Sequence, residues 1–160
     1  MSATIHLSYH VQAPPTVLFD LARSIDVHKA STSQTKEEAI AGKISGLLAL
    51  DEEVTWRAKH FGVWQTLSSR ITQFDRPYHF RDSMVHGAFK KFDHDHFFYE
   101  QADGSTIMKD IFHYSAPLGV LGWMAERMFL TSYMTRFLNE RNLIIVNLAE
   151  SGTWRDYISL

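Results

Sequence analysis

A chain of 160 residues with a formal charge of −2 and no cysteine excludes several classes of protein at the outset. There is no basic stripe for nucleic acid, no thiol for disulfides, thiolate catalysis or cysteine metal sites, and no apolar run near the roughly 20 residues of a membrane span. With 45% apolar and 21% charged residues the composition is globular, and one domain over 1–160 is expected. The start, Met1-Ser2-Ala3-Thr4-Ile5-His6, has no basic region before an apolar run, so no signal peptide is expected. A cytoplasmic protein is the default, and zero cysteine fits a reducing compartment. The eleven Phe and four Trp either fill a core or line a pocket, which composition does not separate.

Thr4 to Val11 alternates Ile5, Leu7, Tyr9 and Val11 with polar residues, a strand with one buried face. Pro14-Pro15 ends it and opens a short helix carrying Leu18, Phe19, Ala22 and Ile25. Ser24-Ile25-Asp26 begins a second brief helical turn through His28 and Ala30. Two readings stand for the next segment: a capping box from Thr35 to Glu38, or an edge strand over Glu37 to Ile44. Five strands are then predicted, at Val54–Phe61, Trp64–Phe74, Tyr78–His86, Phe92–Gln101 and Thr106–Tyr114. Their connections are short (Gly62, Asp75-Arg76-Pro77, Asp103-Gly104), which demands an antiparallel meander. From Leu118 to Glu150 there is no proline. There Leu121, Ala125, Met128, Ser132, Thr135, Leu138, Ile145 and Leu148 trace one face of a helix roughly 45 Å long. Gly152 ends it, leaving 151–160 as a tail able to fold back.

The order strand, two short helices, strands, long helix predicts an α+β fold. A curved antiparallel sheet of six to seven strands wraps the C-terminal helix, with space left between helix and sheet. Several stretches carry a resemblance: His60-Phe61-Gly62, Arg70-Ile71-Thr72, Phe74-Asp75-Arg76-Pro77, Phe80-Arg81-Asp82, Gly87-Ala88-Phe89, His94-Asp95-His96 and Pro117-Leu118-Gly119. In these, and over nearly its whole length, the chain resembles a bacterial branch of the START-like (SRPBCC, birch-pollen-allergen) superfamily. The resemblance implies the helix-grip fold. Members range from lipid and hormone carriers to polyketide cyclases, so it implies no single activity.

Strand alternation sorts the candidate site residues by face. If the more apolar faces point inward, His60, Asp82, His94, His96, Asp110 and Tyr114 form an interior polar set. Buried ionisable groups are costly unless paired. Either they orient the polar end of a ligand, or a His–Asp pair among His94, His96, Asp110, Asp82 and His60 acts as acid and base, or they brace neighbouring strands. His94-Asp95-His96 with Glu100 imitates half of a cupin metal motif, but the glycine spacings are wrong and no second half appears, so no metal and no cofactor are expected. Arg70 either binds a ligand carboxylate or pairs with Asp82, and pairing is favoured. The expected apolar lining is Trp56, Trp64, Phe89, Trp123, Met124, Phe129, Tyr133 and Met134. Gly87-Ala88-Phe89-Lys90-Lys91 either gates the cavity or simply joins two strands. No nucleophile, phosphate-loop or dinucleotide motif is present. The reading is a domain binding an apolar or lipid-like small molecule, as a monomer or weak homodimer, with a cyclase, dehydratase or isomerase as the alternative.

Overall fold

The computed structural model describes residues 2–116 and 129–160. Seven strands, β1 (Ser2–Val11), β2 (Glu38–Gly42), β3 (Glu53–His60), β4 (Val63–Asp75), β5 (His79–His86), β6 (Lys91–Glu100) and β7 (Thr106–Ser115), form one antiparallel sheet. Its order is β1-β7-β6-β5-β4-β3-β2, so the first strand lies beside the last. The chain therefore crosses from one edge of the sheet to the other between β1 and β2, and it does so as helices α1 (Pro15–Ala22) and α2 (Ile25–Ser31). The meander then returns strand by strand. The long helix α3 (Thr131–Ser151) packs against α1, α2 and β1. This is the helix-grip arrangement.

Local chemistry explains the boundaries. Pro15 occupies the first turn of α1, where its missing N–H costs nothing. Ser24 caps α2 by accepting from the Val27 amide at 3.2 Å. Asp20 on α1 holds Arg23 and, across to the β4–β5 turn, Arg76, each at 2.7 Å, which ties the helix to the sheet. Phe19 packs edge-on against Phe74, Phe80 and Phe98. Around Asp103-Gly104 the β6–β7 hairpin closes through Gln101–Ser105, with Gly104 left-handed at φ +83, in the three-residue form rather than the two-residue one. Gly152, also left-handed, ends α3, and beyond it Ile158 is buried in the core.

Of the two readings for the segment after α2, the edge strand is the one found, as β2, while the Thr35 hydroxyl donates to the Thr32 carbonyl at 3.0 Å and caps nothing. The expected face of α3 changes. The buried face of α3 is Met134, Leu138, Arg141, Asn142, Ile145 and Ala149. Ser132, assigned inward from the sequence, is exposed, and Leu148 is only partly buried. At 21 residues the described helix is about 32 Å long. The predicted beginning of the helix, from Leu118, lies outside the described residues, as do Trp123 and Met124.

Candidate functional site

Inward side chains along β6 run Phe92, His94, His96, Phe98, and along β7 Met108, Asp110, Phe112, Tyr114; all are buried. Their ends belong to two separate apolar clusters. One surrounds Phe92, Phe112, Tyr114, Met134 and Leu138, the other Phe19, Phe80, Phe98, Met108 and Ile145. His94, His96 and Asp110 lie between them. The helix α3 has the same polar interruption, with Arg141 and Asn142 standing between Leu138 and Ile145. Asp82 extends the band onto β5, because Asp82 pairs with His94 and His96 with Asp110 in the strand registers. The result is a polar waist across the interior.

Its hub is Asp110, 2% exposed. One carboxylate oxygen contacts His94 Nε2 at 3.0 Å and accepts from Asn142 Nδ2 at 2.9 Å; the other contacts His96 Nδ1 at 3.2 Å. The Arg141 guanidinium lies 3.8 Å away. Burial alone would raise the Asp110 carboxyl, but the neighbouring His96 and His94 imidazoles, both hydrogen-bonded to it, hold it well below the usual carboxylate range. An ionised carboxylate only accepts, so each imidazole donates its bonded N–H to it. Burial, with His94 beside it, pushes His96 down to about 3, so this ring is neutral at pH 7. It stacks on Phe80 with centroids 4.3 Å apart.

This band forms one wall of a cavity of about 70 Å³ between sheet and α3. The other walls are mostly apolar: Val54, Trp56, Ile71, Phe80, Phe137 and Leu138. By the same measure a single water needs roughly 10–15 Å³, so the space suits a few waters or one small ring. Two polar atoms here are shut off from solvent with no hydrogen-bond partner, Asp82 Oδ1 and Arg141 Nε. Burial pushes the Asp82 carboxyl up, against the opposing pull of the Ser69 hydroxyl and the neighbouring His94. His28 also lines the cavity, lies over Trp56 with centroids 4.3 Å apart, and contacts the Glu37 carboxyl through Nε2.

The other predicted residues divide. His60 is half-buried and bonds the Tyr133 hydroxyl at 2.7 Å, apart from the Asp110 cluster. Tyr114 is fully buried and bonds Thr131 at 2.8 Å. Phe89 packs edge-on against Phe92, Phe112 and Tyr114. Phe129 is 62% exposed, its ring against Phe61, and lines no described cavity. Trp64 and Arg70 stand on the outer face of the sheet, which corrects their placement as ligand contacts. Trp64 sits opposite exposed Lys59 and carries Arg57 over its ring. Arg70 pairs with Glu53, not Asp82. The reason is register: Asp82 is opposite Ile71, whose side chain points inward, so Arg70 one residue earlier points out.

Sequence reasoning missed Arg141, Asn142 and His28. A signal for the first two was present. The proposed helical face jumped seven residues from Leu138 to Ile145, and the positions that bridge such a gap are 141 and 142. His94, His96 and Asp110 also have the ligand types and spacing for a metal, their donor atoms lying within 4.8 Å of one another. The fit is poor on charge: Asp110 already faces the Arg141 guanidinium and accepts from Asn142, so a divalent ion would add a second buried cation.

Neither a family model nor a curated protein sequence matches this chain. Solved structures do. The crystal structure of TTHA0849 from Thermus thermophilus superposes with a TM-score of 0.76 at 14% identity, covering 94% of this chain and 99% of its own. The Zhui aromatase/cyclase from Streptomyces sp. R1128 matches with 0.74 at 12% identity, covering 94% of each chain. A START superfamily protein from Mycobacterium smegmatis matches with 0.69 at 12% identity, covering 90% of this chain and 97% of its own. At such identities the likeness is one of fold, and the fold is the START-like helix grip. No helix among the described residues is long and apolar enough to cross a membrane.

Proposed function

We infer that this chain binds one small, mostly apolar molecule in the cavity between the sheet and α3, in a reducing compartment such as the cytoplasm. The polar waist orients the ligand's single polar end. The observation that carries this reading is the asymmetry of the cavity: apolar walls on most sides, one wall of Asp82, His94, His96 and Arg141, and unpartnered polar atoms on that wall. A buried polar group without a partner costs about 1–3 kcal/mol, which a bound molecule would recover. The volume limits the ligand to a ring or a short chain, well under the roughly 300–1,000 Å³ of pockets for drug-sized molecules. Titration calorimetry with a panel of small ring compounds tests this. Ile71→Phe, which fills the cavity from β4, is expected to abolish binding with the circular dichroism spectrum unchanged. Undiminished binding in that variant would place the ligand elsewhere and sink the reading.

A second reading is acid–base chemistry of the cyclase, dehydratase or isomerase type. It is favoured by the His94–Asp110 contact, a buried imidazole–carboxylate pair with its imidazole on the cavity wall, and by the fold shared with an aromatase/cyclase. Its signature is a bound ligand that wild type converts and His94→Gln binds without converting.

A further inference from the structure

The chemistry of the two unpartnered atoms narrows the ligand, and this narrowing rests on the proposed binding reading. Arg141 Nε carries an N–H and can only donate; Asp82 Oδ1 is an oxygen that can accept. Arg141 is 5% exposed, and its other nitrogens are engaged, with the Ala22 carbonyl at 3.0 Å and the Asn142 side-chain oxygen at 3.4 Å. These contacts, on α1 and on its own helix, restrain the guanidinium from turning to satisfy Nε. Asp82 stands on β5 opposite Ile71 and His94, so its side chain shares their inward face. Both residues line the same cavity, together with the His94 and His96 imidazoles.

We propose that the cavity selects an uncharged ring bearing one hydroxyl group, with phenol as the simplest member of the class. A hydroxyl is the neutral group that accepts one hydrogen bond and donates another through a single oxygen, matching one orphan donor and one orphan acceptor. Charge argues the same way. An anionic ligand would face the Asp82 carboxyl and a cationic one the Arg141 guanidinium, both on the wall of a buried space. A hydrocarbon ring of the same size would fill the apolar walls and leave both orphan atoms unmet.

Titration calorimetry on the full chain with phenol, toluene and benzoate decides the matter. Phenol is expected to bind at least tenfold more tightly than toluene, since a hydrogen bond to a charged group is worth about 1.5–3 kcal/mol. Benzoate is expected to bind more weakly than phenol. In Arg141→Met and in Asp82→Leu the phenol preference falls below about threefold, with toluene binding retained as the check that the cavity has folded. If a variant loses toluene as well, the wild-type phenol-to-toluene ratio stands as the deciding measurement. Equal binding of phenol and toluene overturns the hydroxyl assignment and leaves the binding reading intact, as does tighter binding of benzoate. If no ring binds to wild type, both fail.

Discussion

Asp110 gathers four polar side chains around one buried carboxylate. It accepts from two imidazoles and an amide, and it is the nearest anion to a buried guanidinium. Removing one partner of such a set leaves the others uncompensated in a low dielectric. Asp110→Ala is therefore expected to destabilise the fold by about 3–5 kcal/mol, measured by urea denaturation. His96 makes the interior sensitive to acid in a defined direction. An unfolded imidazole takes a proton near a pH of roughly 6.5, whereas His96 in the fold does so only near about 3. Between those values the unfolded chain binds the additional proton, so stability falls as the solution is acidified from about 6.5 toward 3. Melting temperatures across that window should decline, and His96→Phe, which keeps the stacking on Phe80, should decline less steeply. An identical slope in the two proteins would remove His96 as the cause.

At the level of elements, the sheet is positioned by close approaches as much as by hydrogen bonds. Gly87, in the connection from β5 to β6, has φ +150, and a Cβ there would lie 2.6 Å from the Leu67 side chain and 2.8 Å from its Cα. Backbone as well as a side-chain tip stands in the way. Gly87→Ala is expected to cost about 1–3 kcal/mol, read as a lowered denaturation midpoint, through displacement of β5 from β4. Strands β1 and β3 to β7 were legible from alternation and turn residues, with ends correct to within a residue or two, because a half-buried strand must show period two, whereas β2 was left between two readings. The α3 face was not. Arg141 and Asn142 occupy core positions, and a search for apolar periodicity passes over polar residues even when their spacing is right.

In the whole molecule, Phe137 lines two spaces. One is the cavity beside the polar waist and the other a cavity of about 90 Å³ between α3 and the Ser31–Thr35 segment. Its ring is held by His60 and Tyr133. Phe137→Ala is expected to join the two spaces, so that the variant binds two-ring compounds that wild type rejects, at a stability cost of about 3 kcal/mol. Calorimetry with naphthalene derivatives checks it; continued exclusion of two-ring compounds would mean that another group closes the passage.

The order of elements and the inward polarity of β6 and β7 were written in the sequence, because the chain's local chemistry alone dictates period, turn and cap. His94, His96 and Asp110 were recognisable as an inward set on that basis. Which of those groups meet was decided only by the assembled fold. Strand register took Asp82 away from Arg70 and set it beside His94, and the packing of α3 brought Arg141 and Asn142 to Asp110 from more than thirty residues along the chain. Cavity size was also a tertiary outcome. It depends on how closely a helix and a twisted sheet approach each other, a distance that no single segment encodes.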